Sequence, residues 1–278
     1  MNSSTSPAFD GPKHKRSERE GYNLIAERYQ DAAPSRQVLT EALLAAADLA
    51  AGQSLLDLAS GPGVLGRAAQ PRVAPGAVVL SDLAEQALVL AARGSTPLLA
   101  VAADAESLPF ADASFDRVLC GLGLMFFPDE QRALAELRRV LRPQGKLALS
   151  VWADAERVPL VACALACIKR LLPAPKISRP GPCRLGADGV LLELLLGAGY
   201  TAVEVSHCDL DLTFASSADY WNAFRDLAGG AASGLSRLPA ATLERFPLEV
   251  ASELEAFRQG SGYRLVSRVL IATATRPG

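Results

Sequence analysis

From Gln53 onward, short β-rich runs alternate with helical patterns, and this alternation restricts the fold more than any other feature of the sequence. The β-rich runs lie at 54–58, 77–80, 98–102, 115–120 and 146–152, and the helical patterns between them at 65–70, 84–93 and 129–141. Such alternation is typical of stacked βαβ units around a mostly parallel sheet. We therefore predict a doubly wound α/β fold.

The remaining segments predict further helices and two more strands. Helical patterns lie at 160–172 and 188–197, a strand follows at 201–208, two or three helices occupy 216–259, and a closing strand covers 267–275. These elements give seven strands in a single domain over 21–278, with helical insertions at about 153–187 and 216–260. Residues 1–20 are polar and partly basic, so we expect a flexible N-terminal arm there.

Charge and composition exclude several kinds of partner. The formal net charge of −2 gives no electrostatic footprint for a nucleic acid. The five cysteines form no CxxC pair and only two histidines accompany them, so no metal site is expected. The longest apolar stretch, 158–168, is about half of what a membrane span needs. Without a secretory signal pattern at the start, a cytoplasmic protein is expected; the oligomeric state stays open, a homodimer being one option.

A glycine turn after the first predicted strand is the most informative segment. Gly61, Gly63 and Gly66 form a GxGxxG pattern between the strand at 55–58 and a helix. Glycines let the backbone approach a ligand closely, and the following helix N-terminus favours anions. Taken alone, the pattern also fits a dinucleotide-binding fold.

Three acidic residues, each at the end of a successive strand or just after it, narrow the choice of ligand. Asp57 stands just before the glycine turn, where a carboxylate suits a cofactor with an ammonium and a sulfonium better than a pyrophosphate. Asp82 can accept both hydroxyls of a ribose, which an adenosyl cofactor and a nicotinamide dinucleotide both contain. Asp104 can accept a hydrogen bond from an adenine amino group.

Together with the segments 114–118 and 137–147, this ordered set resembles the class I S-adenosylmethionine-dependent methyltransferases. The resemblance covers about 53–151 and points to the branch that includes the ubiquinone and menaquinone methyltransferases. It implies a Rossmann-like sheet of seven strands in the order 3-2-1-4-5-7-6, with strand 7 antiparallel, and S-adenosylmethionine as the cofactor. The chain departs from the commoner loop at Ser60 and Pro62, where the family often has cysteine and threonine.

The resemblance also implies roles for individual residues. The segment 21–29 is similar to a helix that covers the cofactor in relatives, so residues 21–50 are expected to form lid helices and the two insertions to cap the acceptor. The cofactor-binding residues that it implies are Asp57, Ala59, Ser60, Gly61 and Gly63 at the methionine moiety, Asp82 and Leu83 at the ribose, Asp104 and Ala105 at the adenine, Cys120, Gly121 and Leu122 near the sulfonium, and Tyr22 and Tyr29 at the lid.

The reaction itself needs few specialised side chains. A sulfonium methyl is already activated, so the protein chiefly aligns the nucleophile with it. A general base would help a hydroxyl or enol acceptor, and His207 and His14 are the candidates, although a lone histidine is more often structural. Tyr220, Trp221 and Phe224 could line an apolar or aromatic acceptor, although a stripe at this spacing is more often helix packing.

We therefore predict methyl transfer from S-adenosylmethionine to a small molecule, by O- or C-methylation of a quinone, phenolic or natural-product acceptor. One alternative keeps the cofactor but catalyses a different reaction, such as cyclisation. A second alternative, an NAD(P)-dependent oxidoreductase, is supported only by the glycine pattern and Asp82.

Overall fold

The computed structural model describes residues 9–93, 98–173 and 179–278 and is organised around one sheet. The strands are β1 Leu55–Leu58, β2 Val78–Asp82, β3 Leu99–Ala102, β4 Phe115–Gly121, β5 Leu141–Trp152, β6 Thr201–Phe214, β7 Arg258–Gln259 and β8 Gly262–Thr275. Their order is β3-β2-β1-β4-β5-β8-β6, and β7 pairs with β8 outside this path.

The predicted sheet topology is confirmed. Strands β1 to β5 pair in parallel, and β8 runs antiparallel to both β5 and β6. The two-residue β7 forms a hairpin with β8 and adds one strand to the seven expected. Each residue of β1 is buried, as expected for a strand covered on both faces of a parallel sheet.

Helices cover both faces of the sheet, and most lie close to their predicted positions. They are α1 Gly11–Asp31, α2 Gln37–Ala46, α3 Val64–Val73, α4 Glu85–Ala92, α5 Glu130–Val140, α6 Pro159–Leu171, α7 Val190–Gly197, α8 Ser217–Leu227, α9 Gly229–Leu235, α10 Ala240–Leu243, α11 Phe246–Glu249 and α12 Ala251–Leu254. Short 3-10 turns occupy Ala33–Arg36, Leu124–Phe126, Ala155–Arg157 and Glu255–Phe257.

Helix α5 shows how local sequence sets an element. Asp129 caps it by accepting a hydrogen bond from the Arg132 amide at 2.9 Å, and Leu134 and Leu137 are fully buried. The helix ends at Val140, earlier than expected, because β5 already begins at the next residue.

The expected flexible arm is wrong for residues 11–20, which form the first half of α1. Asp10 caps this helix by accepting from the Lys13 amide at 3.0 Å. The backbones of α1 and α9 cross so closely that a Cβ at Gly21 would collide with the Gly229 carbonyl oxygen. The first eight residues of the predicted arm lie outside the described residues.

The second insertion is more fragmented than expected, because residues 217–254 form the five helices α8 to α12. Its core is aromatic: the Trp221 and Phe246 rings stack with centroids 4.6 Å apart. Part of the proline-rich connector after α6 lies outside the described residues. Within the described ranges, no helix is long and apolar enough to cross a membrane.

Candidate active site

A cleft lies at the carboxyl ends of β1 to β4, where doubly wound sheets bind their ligands, and α1 covers it. It consists of two adjoining chambers with empty volumes of about 550 and 800 Å³, open to solvent at the mouth. Tyr29, Ala59, Gly121 and Leu122 line both chambers and mark where they meet.

The first chamber contains Asp57 at the end of β1. The amide of Gly66 donates to Asp57 Oδ2 at 2.7 Å, whereas Asp57 Oδ1 has no hydrogen-bond partner among the described residues. Burial raises the pKa of this carboxyl to about 7. The buried Ser60 hydroxyl also lacks a partner there. Both groups could accept hydrogen bonds from a cationic ligand.

The glycine turn holds these groups by an unusual backbone path. Ala59, Gly61 and Gly63 have φ angles of 53°, 53° and 76°, and Gly63 caps α3. Such positive angles favour glycine, so Ala59 is a strained position. The turn brings backbone and small side chains to the cleft rather than long side chains that would fill it.

The second chamber is anchored by Asp82 at the end of β2. Its two carboxylate oxygens accept from the amides of Gly61 and Ala84, each at 2.7 Å, and this joins the glycine turn to β2. Burial raises the pKa of Asp82, although the hydrogen bonds from these backbone amides act to lower it. Each oxygen keeps a further lone pair for a ligand donor.

Asp104 and Glu106 form the far end of the second chamber, and Lys15 of α1 binds both. The Lys15 ammonium lies 2.7 Å from Asp104 Oδ2 and 2.6 Å from Glu106 Oε2. Arg19, one turn further along α1, pairs with Glu85. The charged face of α1 therefore holds this helix across the cleft.

The roof of the cleft is aromatic. The Tyr22 ring meets Phe126 edge-on at 6.1 Å and Tyr29 at 5.9 Å between centroids. The guanidinium of Arg36 lies 4.1 Å over the Tyr29 ring and donates to the Tyr29 carbonyl at 3.0 Å. A planar ligand group could pack against this roof.

Comparison with known proteins decides the family. A model described as "Methyltransferase domain" matches residues 56–149. An uncharacterized protein of Mycobacterium tuberculosis is 31% identical over 243 residues, which cover 84% of each chain. The ubiquinone/menaquinone biosynthesis C-methyltransferase of Bordetella avium is 36% identical over 142 residues, covering 45% of this chain and 56% of the relative.

A solved structure of Haemonchus contortus phosphoethanolamine N-methyltransferase 2 with S-adenosyl-L-methionine has the same fold, with a TM-score of 0.54 and 16% identity. The match covers 86% of this chain and 52% of that one. The chain is a class I S-adenosylmethionine-dependent methyltransferase. Its cofactor is S-adenosylmethionine, and the resemblance inferred from the sequence is confirmed.

The methyltransferase brings most of its predicted cofactor residues to this cleft. There are two exceptions. The side chain of Cys120 is fully buried in the core, and Gly63 shapes the turn without lining either chamber. The predicted residues that do line a chamber are Tyr22, Tyr29, Asp57, Ala59, Ser60, Gly61, Asp82, Leu83, Asp104, Ala105, Gly121 and Leu122.

The predicted acceptor and base residues are not brought there. Tyr220, Trp221 and Phe224 are at most 3% exposed and pack in the core, where the Tyr220 hydroxyl donates to the Leu160 carbonyl at 2.8 Å. Their stripe serves to attach α8 to the rest of the methyltransferase. His207 lies exposed in the middle of the edge strand β6, away from the carboxyl ends of the strands. Neither prediction fits the structure.

His14, the other candidate base, is buried beside the cleft without lining it. Its Nε2 donates to the Phe126 carbonyl at 3.0 Å, and burial lowers its pKa. Sequence reasoning missed the neighbouring Glu18, which does line the second chamber. The available signal was the helical spacing of Lys15, Glu18 and Tyr22, which places all three on one face of α1.

Proposed function

We propose that the enzyme transfers a methyl group from S-adenosylmethionine to a hydroxyl-bearing aromatic small molecule, by O- or C-methylation. The observation that carries the proposal is the aromatic roof of Tyr22 and Phe126 over a chamber whose floor holds Asp82 and Asp104. When bound, the cofactor supplies an activated methyl group. The protein's part is to bind, orient and exclude water.

The buried acids fit the cofactor's charges. We assign Asp57 and Ser60 to the methionine end, because their unpartnered oxygens would meet an ammonium group in the first chamber. Asp82 would accept the ribose hydroxyls beyond its two backbone donors. Asp104, together with the backbone at Ala105, would bind the adenine, with Lys15 holding the acid in place.

The choice of an aromatic acceptor has two supports. Tyr22, Phe126 and Phe127 give the second chamber flat apolar walls, against which a ring packs well. The Bordetella avium relative is named for C-methylation in ubiquinone and menaquinone biosynthesis, and quinone precursors are hydroxylated rings.

The test is transfer of labelled methyl from S-adenosylmethionine to a panel of acceptors. The panel contains 1,4-naphthohydroquinone and catechol as hydroxylated rings, with an aliphatic amine and a fatty acid as controls. We expect label in the ring products, and mass spectrometry distinguishes O- from C-methylation. Label only in the amine or the fatty acid would contradict the proposed acceptor class.

A reaction other than methylation has a different signature. Tight binding of S-adenosylhomocysteine with no label in any acceptor would favour a reaction such as cyclisation. Thermal shift measures the binding separately, since a ligand that binds only the folded state raises the unfolding temperature.

A further inference from the structure

Glu18 is a buried carboxyl group in the wall of the second chamber, and no hydrogen bond from the described residues accounts for its burial. The residue is 8% exposed, and its Oε2 has no hydrogen-bond partner among the described residues. A buried polar atom without a hydrogen-bond partner destabilises the folded state. Such a group is expected where a ligand supplies the missing donor.

The other acids of the chamber already have partners within the protein. Both oxygens of Asp82 accept backbone hydrogen bonds, and Asp104 and Glu106 both bind Lys15. Of the carboxyl groups that line this chamber, Glu18 therefore has the most freedom to accept a proton from a bound molecule.

The position of Glu18 is set by α1 and α9. Its carboxyl lies against Gly230, where a Cβ would stand 2.8 Å from both oxygens, so a larger residue there would displace the carboxyl. On its other side, His14 Nδ1 lies 3.8 Å from Glu18 Oε1. Because His14 Nε2 donates to the Phe126 carbonyl, its Nδ1 presents a lone pair toward Glu18.

Glu18 also lies on the roof of the chamber, opposite the strand ends. Lys15, one turn earlier on α1, reaches down to Asp104 on the floor, and Tyr22, one turn later, meets Phe126. A cofactor held by Asp82 and Asp104 would lie on the floor, so the roof side remains for the acceptor.

We propose that Glu18 is the general base of the reaction, taking the hydroxyl proton of the acceptor as its nucleophilic atom is methylated. This inference rests on the proposed function. The acceptor's O–H bond breaks and its proton passes to the Glu18 carboxylate. The acceptor's oxygen, or the ring carbon conjugated to it, forms a bond to the methyl carbon. A methylated ring carbon then loses its own hydrogen as a proton to water, and the oxygen regains a proton. The electron pair of the S–CH₃ bond stays on sulfur, and Glu18 later loses its proton to solvent.

The charges around Glu18 suit this role near neutral pH. Burial raises the pKa of Glu18 to about 7, and the positive charge of Arg179 opposes that rise. Burial lowers the pKa of His14, so this neighbour stays neutral in the same range. Lys15 and Arg19 line the same chamber with their charges paired to acids, and α9 contributes no ionisable side chain. A base with a pKa near the working pH transfers protons most effectively.

The experiment compares the wild type with Glu18→Gln, which keeps the shape but cannot accept the proton. Glu20→Gln is the matched control, because Glu20 is a half-exposed acid of the same helix that pairs with Arg237. Methyl transfer to catechol and to the more acidic 4-nitrocatechol is measured at saturating cofactor between about pH 5 and 9. The unfolding temperature checks that each variant is folded, and the affinity for S-adenosylhomocysteine checks that its cofactor site is intact.

For catechol, we expect kcat of the wild type to rise with pH through about 7, and Glu18→Gln to lower it by about 100-fold or more. The loss should be much smaller for 4-nitrocatechol, which gives up its proton without help. A merely structural role would reduce both equally, and that result would overturn the assignment. If Glu18→Gln still methylates catechol at the wild-type rate, Glu18 is not the base, but the proposed function stands. If the wild type methylates neither ring, the proposed function is contradicted together with the role of Glu18.

Discussion

Replacing Asp57 should raise the stability of the protein and lower its affinity for the cofactor, because this carboxyl is buried with one oxygen lacking a hydrogen-bond partner among the described residues. The carboxyl has a pKa of about 7 in the folded chain against an ordinary value of 3.8. Each pKa unit corresponds to about 1.4 kcal/mol, so ionised Asp57 lowers the free energy of unfolding by about 4 kcal/mol above pH 7. The substitution Asp57→Asn removes the charge and keeps an oxygen for the Gly66 amide.

The pH dependence follows from which state holds the proton. The folded protein keeps the Asp57 proton up to about pH 7, while the unfolded chain loses it near 3.8, so wild-type stability falls as pH rises between these values. Asp57→Asn should therefore match the wild type near pH 4 and exceed it by up to about 4 kcal/mol at pH 8. Urea unfolding followed by circular dichroism at several pH values measures this difference.

The same substitution should lower the affinity for the cofactor. An ammonium at about 4 Å from a carboxylate gains roughly 1–4 kcal/mol, which corresponds to an affinity loss of about five-fold to several hundred-fold on its removal. Calorimetry with S-adenosylhomocysteine at pH 8 measures the loss. A variant that is less stable than the wild type at pH 8, or a stability difference that does not change with pH, would contradict the raised pKa of Asp57.

Three further predictions test other parts of the site. Asp82→Ala should reduce both S-adenosylhomocysteine affinity and thermal stability, each by about 1–3 kcal/mol, because Asp82 also holds the Gly61 amide; calorimetry and thermal unfolding measure the two effects. Lys15→Ala should raise both the association and dissociation rate constants of S-adenosylhomocysteine by a few-fold, because it releases α1 from Asp104. Stopped-flow experiments measure both, and unchanged rate constants would show that α1 does not limit access to the cleft. Trp221→Ala should cost about 3–5 kcal/mol of stability in urea with an unchanged affinity, as expected for a core residue outside the cleft.

The sequence predicted the sheet well because its signals are local. The buried runs of β1 and β4 and the acids after successive strands need no distant partner to be recognised. Twelve of the fourteen predicted cofactor residues line the cleft, since the carboxyl ends of parallel strands meet at one edge.

The first half of α1 could not be predicted in the same way. Its residues are charged and polar, and their partners lie far away in the chain: Lys15 binds Asp104, and Arg19 binds Glu85. Only tertiary contacts distinguish such a helix from a solvated arm. The prediction that the aromatic residues of α8 line the acceptor was wrong for a different reason. Packing in the core and lining a pocket require the same periodicity, so the sequence pattern does not distinguish them.

The most direct test of the account is a crystal structure of the enzyme with S-adenosylhomocysteine. We predict the amino group within hydrogen-bond distance of Asp57 Oδ1, the ribose hydroxyls on Asp82, and the sulfur beside Gly121 and Leu122 where the two chambers meet. A ligand whose amino group lies away from Asp57, or that binds outside the two chambers, would contradict the assignment of this cleft.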